Sequence, residues 1–145
     1  MIQRIQSIFL LLSGIGFFSL FKLPFAMTNS EATPLFEDQL FNIQDNTILL
    51  GLAIIGGIVS LASIFLFKNR TLQKRITLLG IIAALFVGGF AFFLMMTEGK
   101  KVPSNIEVYD QAGLFVPAVS LVMLILATVF INKDEKLVRS SDRLR

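Results

Sequence analysis

Ser13, Ser60, Ser63 and Ser120 place hydroxyl groups inside long apolar stretches. A hydroxyl becomes a nucleophile only with a base in hydrogen-bonding reach. The chain has no histidine and no cysteine, and no Asp, Glu, Lys or Arg interrupts the stretches that hold these serines. The serines are therefore expected to bond to carbonyls of their own helices.

The same absences exclude whole function classes within this chain. Without cysteine and histidine there is no thiol–disulfide exchange, zinc–thiolate site, imidazole base or histidine-ligated haem. A proton-coupled exporter needs a carboxylate inside a span, and none is there. Gly-rich phosphate loops and nucleic-acid motifs are also missing. The expectation is a non-enzymatic protein with no catalytic residue, cofactor or metal.

The elements that carry these residues are apolar runs. Four uncharged stretches, Ile5–Phe21, Asn46–Phe67, Ile76–Thr97 and Gln111–Asn132, fill most of a chain with mean hydropathy +0.76. The longer three suffice to cross a hydrocarbon core of about 30 Å as helices. The first is shorter and is extended by Arg4 and Lys22, which can snorkel to opposite interfaces. A rival reading makes that run a cleaved signal peptide, but Pro24-Phe25-Ala26 is a poor cleavage site. The reading is an all-α four-helix transmembrane bundle forming one domain, with spans at about 5–23, 46–67, 76–97 and 111–132 and a tail at 133–145.

Charge sets the orientation. Ten of the thirteen basic residues lie in the N-terminal segment, the link Lys68–Arg75 and the tail. Only Lys22, Lys100 and Lys101 lie on the other side, which collects Glu31, Glu37, Asp38, Asp45, Glu98, Glu107 and Asp110. This places both termini in the cytoplasm. The outer loops carry Pro34, Leu35, Phe36, Leu40, Phe41 and Ile43, then a strand-like Ile106–Tyr109. Residues this apolar suggest loops that lie at the membrane interface or pack on the helix ends, with a small extended cap as one outcome.

Two kinds of residue are candidates for specific contact. Ala53, Gly56 and Ser60, and Gly80, Ala84 and Gly88, form small-residue stripes that let helices approach closely in lipid. They serve packing within the bundle or a face for a partner subunit. The charged ends are the second kind. Gln3, Arg4 and Gln6 open an amphipathic helix, with Ile2, Ile5, Phe9 and Leu12 on the opposite face and the carboxamides at headgroup level. Lys133, Asp134, Glu135, Lys136, Arg139, Asp142 and Arg143 make a mixed-charge tail. A topology anchor explains its basic residues. Its interleaved acids suit a protein contact better.

The opening Met1-Ile2-Gln3-Arg4-Ile5-Gln6-Ser7 with Leu10-Leu11-Leu12, the closing segment from Lys133-Asp134-Glu135-Lys136 to Arg143-Leu144-Arg145, and Tyr109-Asp110-Gln111-Ala112-Gly113-Leu114-Phe115-Val116-Pro117 resemble an uncharacterised Bacteroidota membrane family, domain of unknown function 4293. The resemblance covers essentially the whole chain, and the tail is its most specific part. It implies a four-helix protein of the bacterial inner membrane and brings no activity with it. The functional expectation is an accessory or structural subunit that meets another membrane protein through its charged ends or a small-residue face. The alternative is a carrier or binder of a lipid or apolar small molecule between the helices. The bilayer is a partner in either case, and nucleic acid in neither.

Overall fold

The computed structural model describes residues 3–30, 36, 38–103 and 106–142. Helix α1 (Gln3–Ser19) leads to strands β1 (Ala26–Thr28) and β2 (Leu40–Phe41). Helices α2 (Thr47–Phe65) and α3 (Arg70–Gly99) follow, then strand β3 (Val108–Asp110) and helix α4 (Val116–Asp142). Short 3-10 turns, Ile43–Asp45 and Ala112–Leu114, precede α2 and α4. The helices run up and down in a ring, each packed against its two sequence neighbours, with α4 closing onto α1. Three of them, α2, α3 and α4, are long and apolar enough to cross a membrane, and α1 is a shorter apolar helix.

Each helix buries one stripe at alternating three- and four-residue spacing. The stripes are Gln6, Leu10, Ser13, Phe17 and Leu20; Leu49, Ala53, Gly56, Ser60 and Ser63; Gln73, Thr77, Gly80, Ala84, Val87 and Ala91; and Pro117, Ser120, Leu124, Ala127, Ile131 and Asp134. An average of 3.5 residues is the repeat that keeps one seam facing its neighbours in helical bundles. The opposite faces, including Ile15, Ile55, Ile58, Leu85, Phe86 and Val122, are exposed and apolar, as lipid contact requires.

Small residues lie where the helices approach most closely. A Cβ on Gly56 would stand 2.6 Å from the ring of buried Phe17, and one on Gly16 would collide with Ser120 Oγ. Gly80 faces Leu124 and Ser60, and Gly88 faces Pro117. Ala53, Gly56, Ser60, Gly80 and Ala84 are all buried inside the bundle, and Gly88 is half-buried. Ser60 and Ser63 donate to Gly56 O (2.7 Å) and Val59 O (2.8 Å), as expected. Ser13 departs from that expectation: its hydroxyl meets that of Ser60 across the helix pair at 3.4 Å. The Ser120 hydroxyl is buried without a partner among the described residues.

The outer loops form a cap. Its sheet has the order β2-β1-β3, with Ala26 opposite both Phe41 and Asp110, and Met27 opposite Leu40 and Tyr109. Phe25, Phe36, Phe41 and Ile43 are fully buried beneath it. The rings of Phe25 and Phe41 lie 5.1 Å apart. Asp45 accepts the Asn42 backbone N–H. Burial pushes its carboxyl above the ordinary carboxylate value, and that hydrogen bond pulls the other way. Glu31, Pro34, Leu35 and Glu37, expected in this loop, lie outside the described residues.

Four boundaries differ from the sequence expectation. The first helix ends at Ser19, not near residue 23, because Pro24 disfavours a helical Leu23 and the chain turns onto Ser19 O through Lys22 N and Leu23 N. The last helix starts at Val116, not Gln111, because residues 108–113 are held by the cap: Gln111 N donates to Phe25 O, and Gly113 N to Pro24 O. Pro117 then sits in the first turn, where no intrahelical N–H is needed. At the far end the expected tail is not a separate segment. Residues 133–142 continue α4 without a break. The basic link is likewise mostly helix, since α3 already begins at Arg70, capped by Asn69 accepting Leu72 N at 3.1 Å.

Candidate functional site: the basic end of the bundle

The four buried stripes end in polar residues at the same end of the molecule, the end that collects the basic groups. Gln6 closes the stripe of α1, Ser63 that of α2, Gln73 that of α3 and Asp134 that of α4. Gln73 Nε2 donates to Ser63 O at 2.9 Å and satisfies a carbonyl in the last turn of α2. Arg70 Nε meets Asp134 Oδ2 at 2.9 Å, with the two side chains 18% and 10% exposed. That ion pair ties the start of α3 to α4. Lys133 lies on another side of α4, 5.6 Å from the ring of Phe130, which stacks on Phe9 of α1 at 5.4 Å.

Gln6 corrects the sequence reading. Its carboxamide was expected at headgroup level, but the side chain is fully buried, and neither amide atom has a partner among the described residues. The face of α1 that turns outward carries Ile5 and Leu12, 42% and 44% exposed. The amphipathic argument inverts in lipid: apolar side chains lose nothing by facing the bilayer, and polar ones turn inward. An unpaired buried amide costs about 1–3 kcal/mol. Gln6→Met, which keeps the side chain's length and removes the polar atoms, is therefore expected to raise the thermal unfolding midpoint in mild detergent by an amount equivalent to about 1–2 kcal/mol. An unchanged or lowered midpoint would show that the carboxamide is satisfied.

The charged candidates separate. Asp134 faces Arg70 inside the bundle and is not presented outward, because it occupies the next position of α4's buried stripe after Ile131. Lys133 and Lys136 are exposed, and Glu135 is half-exposed. Gln3, Arg4, Arg139 and Asp142 lie within α1 and α4, but their side chains are outside the described residues, as is Arg143 altogether. Arg70 and Gln73 are the residues that sequence reasoning missed. Arg70 counted only as an orienting charge. The missed signal is the three-four spacing of α4 running on through Asp134, which asks for a buried cation on a neighbouring helix.

Among the described residues, hollows open at this end. One, about 410 Å³, lies between α3 and α4 and is lined by Lys74, Asn132, Glu135 and Lys136. Another, about 580 Å³, lies between the α2–α3 turn and α4, with Phe67, Lys68, Asn69, Arg70, Thr71 and Val138 around it. Toward the capped end, a third hollow of about 370 Å³ is almost wholly apolar. Gly88, Gly89, Leu85 and Phe92 of α3 face Ala118 and Leu121 of α4 across it.

A family model described as a domain of unknown function, DUF4293, matches residues 2–144. Comparison with curated proteins and with solved structures gave no match.

Proposed function

We propose that this chain, which belongs to the DUF4293 family, is a non-enzymatic, multi-pass inner-membrane subunit that docks a protein partner at its basic, cytoplasmic end. The observation that carries this reading is the overshoot of α4. The helix continues eight residues beyond Asp134, about 12 Å at 1.5 Å per residue. It presents Leu137 and Val138, 51% and 40% exposed, where an uncharged lipid core no longer covers them. Val138 and exposed Phe67 flank the hollow over the α2–α3 turn, whose rim carries Lys68 and Arg70. Apolar walls with a basic rim suit a partner segment that combines apolar and acidic side chains.

The test is site-specific photo-crosslinking in native membranes, with the probe at Val138 and a lipid-facing control at Phe86. A single protein adduct at Val138, absent at Phe86 and lost in Phe67→Glu, supports docking. A monomer with no crosslinked neighbour at Val138 overturns it.

A second reading, a binder of an apolar molecule between the helices, is favoured by the apolar hollow between α3 and α4. Gly88 and Gly89 line it, and a Cβ added at Gly89 would meet nothing within 4 Å.

A further inference from the structure

Contacts between the helices fix the depth of the apolar hollow. Ser13 Oγ meets Ser60 Oγ at 3.4 Å, and a Cβ on Gly80 would lie 3.4 Å from the Leu124 side chain and 3.6 Å from Ser60 Oγ. These four residues mark one level across the four helices. At about 1.5 Å per residue, Leu121 lies about 4.5 Å from that level toward the cap, Ala84 about 6 Å and Phe92 about 18 Å. Helix α2 begins at Thr47, about 20 Å from the same level, with Asp45 just beyond. Toward the basic end the uncharged runs stop about 6–12 Å from it, at Ile76 on α3 and Asn132 on α4. The uncharged layer is therefore about 26–32 Å deep, the thickness of one hydrocarbon core. With a core of about 30 Å ending at Thr47, the mid-plane falls near Leu121. The hollow thus runs from the mid-plane to the polar boundary on the capped side, within one leaflet.

Its shape selects the occupant. At the mid-plane the hollow ends blind, because α3 and α4 touch there at Gly80 and Leu124. Its back is closed at Gly88, where a Cβ would lie 3.3 Å from Pro117 Cβ. Phe92 and Phe115, 52% and 61% exposed, rim the open side. Among the described residues the walls carry only apolar side chains around about 370 Å³. The opening is continuous with the lipid-facing surface of the bundle, through exposed Leu85 on α3 and exposed Ala118 and Val119 on α4. Because the two helices stay in contact behind the slot, a helix about 10–12 Å across does not enter it. A side chain from a neighbouring protein fills one level. A slot about 13 Å long, parallel to the helices, matches an extended chain, and half of a hydrocarbon core is about 15 Å.

We propose that this slot holds one acyl chain of a phospholipid from the leaflet on the capped side. The methyl end lies at Leu121, the carbonyl end lies between Phe92 and Phe115, and recognition is of the chain and not the headgroup. This rests on the second reading above and names its ligand.

The test is photolabelling of the full-length protein in phospholipid vesicles. The probe phospholipid carries a diazirine at the chain terminus or beside the carbonyl, and adducts are mapped by mass spectrometry. Buried Ala84 and Pro117 report a chain inside the slot, and exposed Phe86 reports lipid on the outer surface. The terminal diazirine is expected to label Leu121 and Ala84, and the carbonyl-side diazirine Phe92. Gly89→Leu places a side chain in the slot without a clash at Cβ, and is expected to lower labelling of Ala84 and Pro117 at least about tenfold while leaving Phe86 unchanged. Gly51→Leu, equally open but on α2, is expected to change none of these. Phosphoglycerol and phosphoethanolamine probes are expected to label equally. Labelling of Ala84 and Pro117 that survives Gly89→Leu overturns the slot as the place of binding. The reverse order of adducts along the chain overturns the leaflet. A preference of about tenfold for one headgroup overturns recognition by the chain alone. If the phospholipids leave Ala84 and Pro117 unlabelled while a rigid polycyclic probe, diazirine-bearing cholestanol, labels them, this inference fails and the second reading stands. Absence of labelling there by every probe overturns both.

Discussion

Gly113→Ala is expected to detach the cap from the bundle. Gly113 lies in the 3-10 turn between β3 and α4, and its N–H donates to Pro24 O at 3.0 Å. A Cβ at this position would stand 2.5 Å from Leu23 O and closer still to Pro24 O. Both obstacles are backbone, so no side-chain rotation relieves them. The α1–β1 connection must move, and with it go the Gly113–Pro24 and Gln111–Phe25 hydrogen bonds that set β3 beside β1. Overpacking costs about 1–3 kcal/mol and each lost backbone bond about 1 kcal/mol, so the expected destabilisation is about 3 kcal/mol or more. Thermal unfolding in detergent reads the loss, and limited proteolysis of the α1–α2 connection reads its location. Gly51→Ala supplies the contrast. Gly51 is inside α2 with nothing within 4 Å of a Cβ, so alanine there is expected to stabilise by about 0.5–1 kcal/mol through helix propensity alone. Equal effects at the two glycines would contradict the close approach of Gly113 to Pro24.

The contrast also marks what a sequence of this kind discloses. Four helices are legible because lipid tolerates neither unpaired backbone nor unpaired charge, which leaves long uncharged runs as the signature. The small-residue stripes of α2 and α3 are legible for a related reason: Gly56, Ser60, Gly80 and Ala84 repeat at the spacing of one helix face. Gly113 is not legible. Its neighbour in space is the carbonyl of Pro24, some ninety residues away, and nothing local distinguishes it from Gly51. The polar ends of the stripes are hidden differently. Gln6 and Asp134 sit beside charged residues at the ends of apolar runs, where the ordinary inference sends a polar side chain to water. Only the continued three-four spacing, Ile131 to Asp134 and Leu10 back to Gln6, places them inside.

That placement makes the Arg70–Asp134 pair the hinge between fold and proposed function. The pair lies at the last position of α4 that is buried among the described side chains, and beyond it the helix presents Leu137 and Val138. Asp134→Ala is expected to cost about 3 kcal/mol, because it strands a largely buried guanidinium. Arg70→Met, which strands the carboxylate instead, is expected to cost a similar amount. The double variant Arg70→Met/Asp134→Leu removes both charges and replaces them with apolar volume, so it is expected to recover most of the loss and to unfold within about 1 kcal/mol of the parent. Thermal or denaturant unfolding in detergent measures all three, and additive losses in the double variant would show that the two groups do not interact. Crosslinking at Val138 separates stability from docking. If the ion pair only holds α4 against α3, the double variant keeps its adduct. If Arg70, which also lines the hollow beside Val138, contributes its charge to the partner, the double variant is as stable as the parent and has lost the adduct. The first outcome is expected, because Asp134 already neutralises Arg70 at 2.9 Å, so removing the pair leaves the net charge of the rim unchanged and Lys68 still available to an acidic partner segment.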